Sequence, residues 1–102
     1  MRTLIFLNKK EFDSLTLVEK LKEKGKDVGV VLIQDAVYLA LGNNEHSGAV
    51  KDLLGKGVSF HALAKDLEKR GVQDYLISDV ELIDYDRLID LLFSEDQRVI
   101  NL

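Results

Sequence analysis

Apolar residues fall in short unbroken runs, "TLIFL" at 3–7 and "VGVVLI" at 28–33, without strict alternation. Such runs predict strands covered on both faces, because a strand with one wet face alternates polar and apolar positions. Between them the period changes. Phe12, Leu15, Val18 and Leu21 recur at helical spacing until Gly25 stops the pattern, and Asn8 with Glu11 three positions on reads as a capping box opening that helix. After the second run, "AVYLAL" (36–41) reads as a short helical piece, "GNNE" interrupts it, and "SGAVKDLL" (47–54) is a second piece ending at Gly55 and Gly57, so a broken or kinked helix is expected there. "VSFHAL" (58–63) predicts a third strand. "AKDLEKRG" (64–71) predicts a short helix, with Lys69 and Arg70 at the end where the helix dipole favours cations and Gly71 as its C-cap. "VELI" (80–83) reads as a fourth strand, Asp84 as an N-cap, Leu88, Ile89, Leu91 and Leu92 as one helix face, and "RVINL" (98–102) as a last strand.

Strands separated by helical crossovers imply parallel pairing with right-handed connections and helices on both faces. The predicted fold is a single-domain, flavodoxin-like α/β three-layer sandwich with a mainly parallel sheet of about five strands over residues 1–102. No repeat, low-complexity tract or linker divides the chain, and it has no proline.

Charge and composition then narrow the classes. The 14 basic and 18 acidic residues are interspersed and sum to −4, which argues against direct binding to a phosphate backbone. The longest apolar run is far shorter than the roughly 18 residues of a membrane span. Residues 1–7 are too short for a secretory apolar region and lack a small-residue cleavage pattern, so a cytoplasmic protein is expected. With 46% apolar residues, so short a chain is expected to be an oligomer. The absence of cysteine removes disulfides, thiolate metal sites and thiol nucleophiles.

Ligands of open α/β sheets gather at the carboxyl ends of the strands, where Asn8, Gln34, Asp35, His61 and Asp84 are expected. Asp35 reads as an N-cap of the following helix or as a recognition residue. Gln34, with an amide that both donates and accepts, either satisfies neighbouring loops or lines a pocket or partner surface. Tyr38 reads as core or as an interface aromatic, and His61 as a general base or as a partly buried, hydrogen-bonded histidine. His46 lies in the polar "NNEHS" loop, where it is expected to be solvated. Two histidines without matching carboxylates do not make a metal site. No G-x-S-x-G, P-loop or G-x-G-x-x-G is present, so neither a catalytic residue nor a cofactor is expected. An enzyme using His61 with strand-end carboxylates is the weakest of the readings.

Three phrases in order, "VLIQDAVYLAL" (31–41), "FHALAKDLEKRGV" (60–72) and "LIDYDRLIDLL" (82–92), resemble the DsrH/TusB family of the DsrE/DsrF/DsrH-like superfamily. Ala36 stands where that pattern usually has glycine, and Lys20 lies near where some relatives carry a first-helix cysteine. The resemblance implies a non-catalytic subunit of a DsrEFH/TusBCD-type sulfur relay complex, serving tRNA wobble uridine 2-thiolation or sulfur oxidation. Its partners would be cysteine-bearing DsrE/DsrF-like (TusD/TusC-like) subunits, with Gln34, Asp35, Tyr38 and His61 shaping a strand-end or interface surface. The competing expectation is a homo-oligomeric DsrE-fold module that binds a ligand or regulates, without sulfur transfer.

Overall fold

A computed structural model describes residues 2–45 and 47–102. Among these residues five strands form one sheet: β1 (Arg2–Leu7), β2 (Asp27–Leu32), β3 (Ser59–Leu63), β4 (Glu81–Ile83) and β5 (Gln97–Asn101). All four pairings are parallel and the order is β4-β3-β2-β1-β5. The connections are α1 (Asp13–Glu23), then a 3-10 helix (Gln34–Ala40) followed by α2 (Ser47–Gly55), then α3 (Ala64–Lys69) with a 3-10 turn (Gln73–Tyr75), and last α4 (Tyr85–Leu92). The predicted sandwich is observed, with its strands within a residue or two of their expected places.

Strand order explains an uneven distribution of helices. From β1 to β4 the chain steps in one direction across the sheet, so right-handed crossovers put α1, the 3-10 helix, α2 and α3 on the same face. That face carries the larger core, including Ile5, Leu7, Val30, Leu32, Phe60 and Leu67. Only the return from β4 to β5 runs backwards, and it brings α4 alone to the opposite face. There Leu4, Phe6, Val31, Leu63 and Ile83 form the smaller core with Leu91 of α4. A single helix is about 10 Å across, against roughly 19 Å from the first to the last strand of a five-stranded sheet. This second face is therefore only partly covered by helix.

One expectation is corrected. The Asn8–Glu11 capping box does not form, because α1 begins at Asp13 with Phe12 as N-cap and no side-chain cap bond. The intervening residues turn through backbone bonds, Glu11 N–H to Lys9 O (2.9 Å) and Leu15 N–H to Phe12 O (2.9 Å). The broken helix expected over 36–54 is observed, its first piece being the 3-10 helix Gln34–Ala40, which is linked to the connection after α3 by Gly42 N–H to Tyr75 O (2.8 Å) and Ile77 N–H to Ala40 O (2.9 Å). Asp84 does cap α4, its Oδ1 accepting from the Arg87 N–H at 2.8 Å.

Candidate functional site at the strand ends

Where β2 leaves the sheet, Ile33 is extended and Gln34 enters the left-handed region at φ 52°. A side chain in that region costs on the order of 1 kcal/mol, so something must hold the corner. The Gln34 N–H donates to Asp66 Oδ2 at 2.7 Å, a charge-assisted bond of the stronger kind. Asp66 sits in the first turn of α3 and is buried, 7% exposed. One turn later Arg70 donates to Asp35 Oδ1 through Nη2 (2.8 Å) and Nε (3.2 Å), and to the Asp66 backbone O through Nη1 (3.1 Å). The hydrogen bond to Asp35, joined by the charges of Asp35 and Asp66, raises the Arg70 pKa against the opposing effect of burial. The half-buried Tyr38 ring meets the Arg70 guanidinium at 6.0 Å and the Lys10 ammonium at 5.5 Å from its centroid, within cation–π range.

This network borders an open cleft of about 460 Å³. Strand-end Ile33 and Leu63 line it, as do the Gln34–Asp35 corner, Lys69, and Tyr85 and Leu88 of α4. It lies at the carboxyl ends of β2, β3 and β4, where parallel sheets collect their ligands. Its chemistry is that of an amide, carboxylates, cations and a phenol on an apolar base, which suits recognition by hydrogen bonds and charge. Among the described residues no three His, Asp or Glu side chains form a group that could hold a metal.

Gln34, Asp35 and Tyr38 thus share one site, but His61 does not join them. It lies in mid-strand on the α4 face, 4% exposed. Arg2 donates to Ser59 Oγ and lies 3.1 Å from His61 Nε2, while His61 Nδ1 is 2.9 Å from Glu81 Oε1. Since a guanidinium only donates, Nε2 must accept; the ring is neutral, with its proton on Nδ1 pointing at Glu81. Burial, reinforced by the charges of Arg2 and Arg87, holds the His61 pKa below 6.5 despite Glu81. Burial pushes Glu81 up, but the His61 N–H and the Arg87 guanidinium, 3.6 Å away, outweigh it and leave Glu81 below the usual carboxylate value.

Asp35 is not an N-cap. The 3-10 helix has Ile33 as N-cap with no side-chain cap bond, and the Asp35 carboxylate goes to Arg70. The cap reading fails because a 3-10 turn entered through a left-handed Gln34 points Asp35 toward α3 rather than back at free N–H groups. Ala36 is fully buried at the position of the pattern's usual glycine; among the described residues the left-handed non-glycine is Gln34, so the alanine strains nothing. Asp66, Arg70, Tyr85 and Leu88 were not anticipated as site residues, although Asp66 and Arg70 stand at i,i+4, the spacing of a helical ion pair. His46 lies outside the described residues.

Fold and site together define a small parallel α/β domain with a strand-end cleft lined by amide, carboxylate, cationic and phenolic groups. The profile of the family described as DsrH like protein matches residues 10–98, a span that contains the whole cleft; the chain belongs to this family. It is 34% identical over 70 residues to Protein TusB of Buchnera aphidicola subsp. Baizongia pistaciae, covering 69% of this chain and 70% of that one. Over 82 residues it is 30% identical to Protein TusB of Photorhabdus laumondii, covering 80% and 81%. Among solved structures, a protein of unknown function from Methanobacterium thermoautotrophicum superposes with a TM-score of 0.84 at 23% identity, covering 99% of this chain and 98% of that one. The ychN protein of E. coli does so at 0.83 and 21%, with complete coverage of both. At these identities the two structures speak to the fold alone.

Proposed function

We propose that this protein is a non-catalytic subunit of a DsrEFH/TusBCD-type sulfur relay complex. One observation carries the reading: a member of the DsrH family, with relatives named Protein TusB, contains no cysteine. Persulfide sulfur travels on a nucleophilic thiolate, so this chain serves a partner's cysteine instead of carrying sulfur. On this reading its partners are cysteine-bearing DsrE- and DsrF-like subunits in the cytoplasm, and the relay ends in 2-thiolation of tRNA wobble uridine or in sulfur oxidation. The Gln34–Asp35–Tyr38 corner, held by Asp66 and Arg70, is then part of the surface a partner's chemistry uses. Among the described residues no helix is long and apolar enough to cross a membrane, which agrees with such a role.

The test is assembly and loading. The chain is mixed with purified cysteine-bearing subunits and a persulfide donor, and each polypeptide is weighed by mass spectrometry. A stable complex is expected, with added sulfur on the partners only. Failure to bind any such subunit contradicts the proposal.

A further inference from the structure

α4 carries more apolar surface than the sheet can use. Leu88 and Leu91 pack inward, whereas Tyr85, Ile89, Leu92 and Phe93 are 49, 51, 40 and 74% exposed. These four stand at i, i+4, i+7 and i+8, a continuous stripe along one flank of the helix. Its rim is acidic. Asp84, Asp86, Asp90, Glu95 and Asp96 are all exposed, and Arg87 is the one base between residues 84 and 96. That segment therefore sums to 1 − 5 = −4, equal to the formal charge of the entire chain. The negative excess of the protein is concentrated around its exposed apolar helix.

We propose that this flank of α4 docks a partner protein whose contact patch is apolar and rimmed by lysine or arginine. Charge decides between occupants: a second copy would bring two acidic rims together, and like charges across an interface oppose association, whereas a basic rim is attracted and steered. Position adds a second argument. Tyr85 both begins the stripe and lines the strand-end cleft, so a partner seated on α4 has its adjoining loops at the cleft mouth. The proposal rests on the relay reading for the partner's identity, a cysteine-bearing subunit of that assembly.

The test measures the affinity of the full chain for purified cysteine-bearing DsrE-like and DsrF-like subunits, as a function of salt. Compared with it are an apolar-stripe variant (Ile89→Asp with Phe93→Asp) and a rim variant (Asp86→Lys with Asp90→Lys). All four replaced side chains are exposed, so unfolding midpoints check that both variants keep the fold. We expect wild-type binding that weakens with salt, and a loss of at least about tenfold in each variant. Undiminished assembly in both variants overturns the docking surface and leaves the relay reading standing. A wild-type chain that binds neither subunit removes the relay reading and this proposal with it. Tighter binding by the rim variant, or a self-dimer that the stripe variant dissolves, also overturns the proposal, in favour of an acidic partner or a second copy.

Discussion

Two polar clusters sit on the same sheet, each with one buried member: Asp66 at the strand ends and His61 in mid-strand. They differ in what they hold. Asp66 and Arg70 bind the backbone of a left-handed corner and the side chain beside it, and their cluster opens onto a cleft. Arg2, Ser59, His61 and Glu81 join side chains of three strands across a sheet face, and their hydrogen bonds close on one another. Placement on the sheet separates the cluster that opens onto a cleft from the one that closes on itself more sharply than residue type does. Histidine, with the widest chemical repertoire here, belongs to the closed cluster.

The largest expected effect is at Asp66. Asp66→Ala leaves the Gln34 N–H without its acceptor in a strained turn and should lower stability by about 2–3 kcal/mol in urea unfolding; Asp66→Asn, which keeps an acceptor oxygen, should cost less. A cost for Asp66→Ala no larger than that of Asp35→Ala would break the distinction between a buried keystone and its exposed neighbour. The closed cluster is probed at Gly29, over which Arg2 passes. A Cβ there would meet the Arg2 guanidinium and lie 2.8 Å from Leu4 Cδ2. Gly29→Ala should cost roughly 1–2 kcal/mol, by pushing Arg2 off Ser59 and His61 and crowding the small core.

Protons distinguish the clusters next. His61 binds its proton more weakly folded than unfolded, so the unfolded state takes up more protons once pH falls below 6.5. Stability from His61 is therefore full above that value and is lost as pH drops from it through the lower folded value. Urea midpoints should fall over this window, and His61→Gln should flatten the decline. The smallest effect is at Asp35, whose carboxylate is 67% exposed. Asp35→Ala should cost about 0.5 kcal/mol or less, in the range of a surface ion pair, where a cap would have cost about 1 kcal/mol.

Much of the fold was legible because unbroken apolar runs mark strands covered on both faces, as β2 shows. The edge taken by β5 was not, since it depends on the direction of the last crossover and not on the residues of the strand. Helix starts were legible where a cap acts locally, as at Asp84, and illegible at Asn8, where the backbone turns first. Within the site, Gln34, Asp35 and Tyr38 stood out as polar or amphipathic groups at a strand end. Asp66 and Arg70 were hidden because their role comes from pairing across 30 and more residues. His61 is the buried, hydrogen-bonded histidine of the second reading but lies in mid-strand instead of at the strand end, and the sequence held the clue: Ser59 and His61 alternate with Phe60 and Ala62, which puts both polar residues on one sheet face at period two.

The central claim, that a chain without a thiol supports transfer on other chains, is tested most directly by reconstitution. Sulfur delivered from a loaded cysteine-bearing subunit to its acceptor is timed with this protein present and with it left out. The account predicts faster or more complete transfer with the chain present, while the chain itself gains no sulfur. Equal transfer in both reactions would contradict it.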